Sequence, residues 1–217
     1  MSTVTAHEKE TFCTIAASLL APPDERLLND LAQPELRSFL TEVLARWGGE
    51  VRALTAILGT RGQKRSLTTL QKEYDRLFNP YRGKVVSLVE STYKPWTKDK
   101  GCGMVFAAST GLVMGDPAVH LLDVYREVSL EVPDAFRSTP DHLILELEFL
   151  AFLYCDGTPE QSRRFIDDHL DWIPDLREEM ERARAKPFYR RAVELIDIFV
   201  RNEQNTTKDR YGQTTIH

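Results

Sequence analysis

The stretch PDHLILELEFLAFLYC, residues 140–155, decides how the rest of this 217-residue chain is interpreted. Its apolar residues recur at helical spacing and then fill much of the opposite side of the same helix. A helix that is apolar nearly all round is either enclosed by other helices or spans a membrane. A stretch this short that contains Asp141, Glu146 and Glu148 makes a poor membrane span. It therefore predicts the central helix of a helical domain, with Pro140 at the first helical position.

Further helical patterns follow one another along the chain, and no pair of matching strands accompanies them. The clearest covers 36–47, where apolar residues keep i, i+3, i+4, i+7 spacing and Gly48-Gly49 follow as a C-terminal stop. Residues 158–161, TPEQ, form a start signal with a threonine cap and a proline at the first position. We therefore predict an all-α fold, a single globular domain of nine or ten helices.

The expected domain covers residues 1–202 in two loosely divided halves. The halves, 1–133 and 140–202, are joined by a linker at 129–139 that can serve as a hinge, so we expect a monomer or a domain-swapped dimer. Residues 203–217 are polar and aperiodic, which predicts a disordered tail.

Composition favours a cytoplasmic protein. The formal net charge of -5 disfavours nucleic acid as the main partner. Three cysteines, odd in number and far apart, suit a reducing compartment better than a disulfide framework or a spaced metal site. The first residues lack a charged region followed by an apolar run, and no long apolar run occurs elsewhere. We therefore expect neither a secretion signal nor stable membrane insertion.

The catalytic motifs in the chain are weak. Asp141-His142 is an HD dipeptide of the kind found in metal-dependent phosphohydrolases, but such a site needs more ligands and the chain has only five histidines. The alternative is a hydrogen-bonded histidine at a helix start, beside an aspartate that favours the positive helix end. No nucleophile elbow, phosphate-binding loop or dinucleotide-binding motif is present. We therefore predict no enzymatic activity, no cofactor and no metal site.

Helical periodicity fails between residues 79 and 100 and returns at about 104–113. Within the gap, residues 90–96, ESTYKPW, set a carboxylate, two hydroxyls, a phenol and an indole around a proline. Aromatic side chains give contact area at low entropic cost, and proline keeps a loop preformed. This segment therefore indicates a peptide-binding loop. The alternative, that Tyr93 and Trp96 plug the core, is equally compatible with the sequence.

A series of short motifs between residues 67 and 202 resembles the TorD/DmsD/NarJ family of chaperones, which mature molybdenum oxidoreductases. The best match is PDHL at 140–143 followed by ELEFL at 146–150. The other motifs occur in the family's order, and they are YDRLF at 74–78, ESTY at 90–93, DP at 116–117, HL at 169–170 with Trp172, and PFY at 187–189. The first 60 residues match only as amphipathic helices.

The resemblance implies a system-specific chaperone that works in the cytoplasm. Family members bind the twin-arginine signal peptide or the apo-form of a molybdopterin-containing oxidoreductase subunit, assist cofactor insertion and proofread the partner before export. Some relatives bind GTP weakly, so weak GTP binding here would rest on the resemblance alone. Two other hypotheses stay open: an HD-type metal-dependent phosphohydrolase, and a helical scaffold or regulator without a peptide groove.

The expected signal-peptide-binding residues are acidic or carry rings, and they are Pro95, Trp96, Asp141, His142, Tyr93, Glu90 and Glu146. The first four follow from the resemblance, which ties binding to a Pro-Trp pair and an Asp-His pair. The last three are added from chemistry, because carboxylates pair with guanidinium groups and aromatic rings stack on them. We therefore expect the 79–100 loop to lie against the start of the central helix and to form one groove with an acidic rim.

Overall fold

The computed structural model describes residues 3–60, 66–82 and 85–212, and over these residues the chain forms ten α-helices and no strand. The helices are α1 (Ala6–Leu20), α2 (Glu25–Ala32), α3 (Pro34–Arg46), α4 (Thr55–Leu58), α5 (Leu67–Phe78), α6 (Asp116–Glu127), α7 (Leu143–Asp156), α8 (Pro159–His169), α9 (Ile173–Arg182) and α10 (Pro187–Gly212). Short 3-10 turns occupy Val51–Leu54, Pro80–Arg82, Glu90–Thr92 and Asp134–Phe136. The predicted all-α fold is confirmed.

The apolar stretch at 140–155 forms α7, which is enclosed as predicted. Leu143, Leu147 and Leu150 have no exposed surface, and α7 packs against α1 and α8. No helix in the described part of the chain is long and apolar enough to cross a membrane. The helix begins at Leu143 rather than at Pro140, because the backbone of Asp141 pairs with the preceding loop instead of entering the helix.

Helices from both sides of the 129–139 linker share one hydrophobic core. The ring of Phe12 on α1 lies 4.8 Å from that of Trp47 and 5.1 Å from that of Phe199 on α10, measured between centroids. Edge-to-face and tilted arrangements at these separations are favourable for aromatic rings. The two expected halves are therefore packed together in this structure rather than each having a core of its own.

Helix α10 continues to Gly212 and does not end at the expected boundary of Asn202. Polar contacts fix the start of this part of the helix, although its sequence lacks apolar periodicity. Glu203 accepts hydrogen bonds from Lys9 Nζ at 2.7 Å and from the Tyr154 hydroxyl at 2.9 Å, and Asn202 Nδ2 donates to the carbonyl of Trp47 at 3.1 Å. The expected tail is thus helical up to Gly212, and residues 213–217 lie outside the described residues.

Candidate functional site

The segment between α5 and α6 lies against the start of α7, which confirms the expected contact between loop and central helix. Val89 and His142 form an isolated antiparallel bridge. Around it, the N–H of Glu90 donates to the carbonyl of Asp141 at 3.0 Å, and the N–H of Leu143 donates to the carbonyl of Leu88 at 2.8 Å. The loop therefore satisfies a backbone donor in the first turn of α7 that the helix itself leaves free.

The carboxylate of Asp141 organises the loop from inside. One of its oxygens, Oδ2, accepts from the backbone N–H of Ser91 at 2.7 Å and also from the Ser91 hydroxyl. That hydroxyl in turn accepts from the N–H of Gly115 at 3.2 Å. A Cβ at Gly115 would lie 2.6 Å from the carbonyl oxygen of Trp96, so the close approach requires glycine. Asp141 is thereby connected to the backbone that carries Trp96.

A second group of polar side chains is buried beneath the same loop. The carboxylate of Glu90 pairs with Lys94 and lies 2.9 Å from Nδ1 of His169. Glu146 has no hydrogen-bond partner for either oxygen among the described residues. Burial, together with the neighbouring charges of Glu90 and Asp141, raises the pKa of Glu146 well above its usual range. Burial also raises the pKa of Asp141, although the bonds from Ser91 oppose the shift.

The expected acidic rim is wrong, because its three carboxylates are inside the protein. Glu90, Asp141 and Glu146 have a relative exposure of 0%, so no guanidinium group in solvent can reach them. Burying a carboxylate is tolerated only where it is partnered or protonated. Here Glu90 and one oxygen of Asp141 have internal partners, and burial with the nearby negative charges raises the pKa of Glu146. These residues stabilise the loop from inside and do not offer a charged surface to a ligand.

Tyr93 is half-buried and packs against the core, which agrees with the alternative for this one residue. Its ring stacks on Trp172 with centroids 4.9 Å apart. Its hydroxyl contacts the Ser87 carbonyl at 2.8 Å and the Glu179 carboxylate. Burial, reinforced by Glu179, raises the pKa of Tyr93 far above its usual range. Tyr93 therefore fixes the loop to α9, and the face of its ring towards Trp172 is occupied.

Pro95, Trp96 and His142 are half-buried and keep part of their surface exposed. The Trp96 ring meets the edge of Phe106 at 5.1 Å. Nδ1 of His142 accepts from the N–H of Ile144 at 3.2 Å, which makes His142 the N-cap of α7, and burial lowers the pKa of His142 to about 4. The side chains of Asp141 and His142 thus serve different partners, which does not match a shared metal site.

No functional role was predicted for the segment after Trp96. Its periodicity predicted a helix at about 104–113, and that prediction is wrong, because no helix forms there. The backbone instead folds back on the loop: the N–H of Trp96 donates to the carbonyl of Ser109, and the N–H of Thr97 to that of Ala107, both at 2.9 Å. This conformation leaves several apolar side chains exposed, and they are Met104, Val105, Phe106, Leu112 and Val113. We call these residues, with Trp96, the apolar loop surface.

Two histidines that the sequence left without a role connect Glu90 to the surface. His169 Nε2 lies 2.8 Å from His120 Nδ1, and the two rings stack with centroids 4.9 Å apart. His169 is buried, whereas His120 on α6 is exposed and borders a cavity of about 430 Å³. Within the described residues no group of three or more His, Cys, Asp or Glu side chains is arranged to hold a metal ion.

The chain is similar in sequence to a known protein family and to a named chaperone. A sequence model of the family described as nitrate reductase delta subunit matches residues 45–185, which include the apolar loop surface, α6 and α7. The chain is also similar to a selenate reductase assembly chaperone protein of Thauera selenatis. The two are 32% identical over 127 residues, which cover 52% of this chain and 58% of the relative. The similarity thus spans less than two thirds of that relative's length.

Proposed function

Since the chain belongs to the nitrate reductase delta subunit family, we propose that it is an assembly chaperone for the catalytic subunit of a molybdenum-containing oxidoreductase. The family match confirms the resemblance to the TorD/DmsD/NarJ chaperones that the motifs between 67 and 202 indicated. It also agrees with the prediction of a protein that is not an enzyme. A similar protein is named for the assembly of selenate reductase, another oxidoreductase.

The observation that best supports the proposal is the apolar loop surface held on a rigid polar base. Met104 is 52% exposed and Val105 is fully exposed. Contiguous exposed apolar residues mark protein interaction sites, because a soluble protein otherwise loses solubility by showing them. The bonds from Asp141 through Ser91 to Gly115 fix the backbone just after this surface. A preformed surface binds a partner with less loss of conformational entropy.

The finer part of the proposal concerns the partner segment. We propose that the chaperone acts in the cytoplasm, where it binds the twin-arginine signal peptide or the apo-form of its client, assists cofactor insertion and proofreads the client before export. Pro95 and Trp96 offer an apolar contact and an indole face on which a guanidinium group can stack. Asp141, Tyr93 and Glu90 contribute indirectly, by fixing the loop on which Pro95 and Trp96 lie.

Co-purification tests the proposal with the full chain in its native host. The tagged wild type, Trp96→Ala and Val105→Asp are compared with Tyr81→Ala, an exposed aromatic on another turn of the inter-helix segment. We expect mass identification of a molybdenum oxidoreductase subunit with the wild type and with Tyr81→Ala. Retention should fall at least fivefold for Val105→Asp, since a charge would enter an apolar contact. Absence of any such subunit, or equal retention by all four proteins, would refute the proposal.

A further inference from the structure

One histidine at the end of α8 connects the two ends of the loop that carries Trp96. Glu90 precedes Trp96 in the chain, and its carboxylate lies 2.9 Å from Nδ1 of His169. His120 follows Trp96 on α6, and its Nδ1 lies 2.8 Å from Nε2 of the same His169 ring. A single buried imidazole therefore bridges the segment before Trp96 and the helix after it. We call Glu90, His169 and His120 the histidine bridge.

The protons in the histidine bridge have one consistent arrangement. Glu90 pairs with Lys94, and an ionised carboxylate only accepts hydrogen bonds, so Nδ1 of His169 carries the proton that faces Glu90. In a neutral imidazole with a proton on Nδ1, the other nitrogen accepts. Nε2 of His169 therefore accepts from the Nδ1 proton of His120. The bridge thus consists of two directed hydrogen bonds, one to each end of the loop.

The core holds His169 in place from the other side. The carbonyl of His169 accepts from Nε1 of the buried Trp172 at 2.8 Å. The ammonium group of Lys94 donates to the carbonyl of Asp168 at 2.8 Å and pairs with Asp171 in the turn that follows. The corner between α8 and α9 therefore has a fixed position, and the loop is attached to that corner both by His169 and by Lys94.

A second cross-link joins the same two parts of the loop. The Ser91 hydroxyl, one residue after Glu90, accepts at 3.2 Å from the N–H of Gly115, one residue before α6. This contact remains when the histidine bridge is broken. Loss of the bridge should therefore loosen the loop without unfolding the protein, which allows its effect on binding to be measured.

We propose that His169 is a positioning residue for client binding. It sets the distance between Trp96 and α6, and so the arrangement of the apolar loop surface, without contacting the client. The start of α6 is attached to Trp96, because the N–H of Asp116 donates to the Trp96 carbonyl at 2.8 Å. His120 lies about one turn further along α6, where the bridge holds the helix to the core. The inference rests on the proposed function, since client binding is the property that His169 influences.

Three variants of the full chain test the histidine bridge one hydrogen bond at a time. His120→Ala removes the outer bond at an exposed position. His169→Asn ends near the position of Nδ1, so it keeps a donor for Glu90 and loses the bond to His120. His169→Gln reaches the position of Nε2, so it keeps an acceptor for His120 and loses the bond to Glu90. His7→Ala, which removes an exposed histidine from α1, is the matched control.

Two measurements are made on each protein. Hydrogen exchange of the backbone amides of Trp96, Thr97 and Gly111, each bonded within the loop, reports the order of the loop. Retention of the oxidoreductase subunit that co-purifies with the tagged wild type reports client binding. His120→Ala should speed loop exchange and lower retention, each about fivefold, because one hydrogen bond is lost. Exchange of the buried amides of α10 should not change.

The decisive result is how the effect of His120→Ala depends on the residue at position 169. His120→Ala should add nothing to His169→Asn, in which the outer bond is already lost. It should again cost about fivefold in His169→Gln, in which that bond is kept. A histidine with only a general effect on stability would give the same added loss in both backgrounds, and that result would overturn the positioning role.

The outcomes distinguish the positioning role from the proposed function. Faster loop exchange with undiminished retention of the subunit would overturn the positioning role and leave the proposed function standing. If the wild type retains no oxidoreductase subunit, the proposed function fails, and the positioning role fails with it.

Discussion

Ser91 donates both its backbone N–H and its hydroxyl to the same carboxylate oxygen of Asp141. The two residues belong to different parts of the chain, the loop before α6 and the turn before α7. Their contact helps to position the loop, because the Ser91 hydroxyl also accepts from the N–H of Gly115, and Gly115 lies directly against the backbone of Trp96. Asp141 of the HD dipeptide thus has a structural role, because it connects the loop to the start of α7.

Replacement of Asp141 by alanine should destabilise the protein and loosen the loop. It leaves the two donors of Ser91 buried without an acceptor, which costs about 2–3 kcal/mol in the free energy of unfolding. Urea unfolding measures that loss, and limited proteolysis of residues 97–115 measures the order of the loop. Asp123→Ala, which removes an exposed carboxylate from α6, is the control. Unchanged stability with weakened client binding would instead identify Asp141 as a direct contact.

Glu146 should make the protein less stable as the pH rises. Its pKa is higher in the folded state than in the unfolded chain, so the stability it contributes is present at low pH and decreases as the unfolded chain ionises first. Glu146→Gln cannot ionise and should gain stability relative to the wild type between about pH 5 and pH 8. Denaturant unfolding across that range measures the difference. Parallel curves for the two proteins would show that Glu146 is charged in the folded state.

His142, in contrast, should make the protein less stable as the pH falls. Burial lowers its pKa from 6.5 to about 4, so below about pH 6.5 the unfolded chain takes up a proton that the folded protein resists. The loss of stability is complete at about pH 4 and amounts to at most about 3 kcal/mol. His142→Asn keeps a capping side chain and removes the titration. Its free energy of unfolding should fall less between pH 7 and pH 4, and an equal fall would contradict the assignment.

Tyr93 and Trp96 should respond differently to substitution although they are three residues apart. Tyr93→Phe keeps the stack on Trp172 and loses the bonds to Ser87 and Glu179, which should cost about 1–2 kcal/mol of stability and leave client binding unchanged. Trp96→Ala should weaken client binding with a smaller effect on stability. Urea unfolding combined with client pull-down separates the two effects. Reversed phenotypes would show that Tyr93 is the contact residue.

The helices were predictable because their signals are local. Apolar spacing identified α7, and the threonine cap and proline that precede α8 are present as expected, including the capping box between Thr158 and Gln161. The predicted start of α7 was wrong because the backbone of Asp141 pairs with Glu90, a long-range contact that no local pattern reveals. Another long-range contact lies in α10, where Glu203, just beyond Asn202, pairs with Lys9 at the other end of the chain.

The candidate site was predictable only in part, because residue type does not reveal burial. Glu90 was interpreted as a surface carboxylate, yet its partner His169 lies 79 positions away in sequence. Lys94, one turn later, was the only local sign that Glu90 is neutralised internally. The apolar run at 104–113 resembled a helix, but three of its backbone groups bond to residues 92–97 instead, and several of its side chains stay exposed.

The most direct test of the assembly role is the molybdenum content of the client's catalytic subunit. The subunit is purified from hosts that lack this chain and from hosts that carry the wild type, Tyr81→Ala or Val105→Asp. Molybdenum per subunit should fall at least fivefold without the chain and return with the wild type and Tyr81→Ala but not with Val105→Asp. The same molybdenum content with and without the chain would contradict the account.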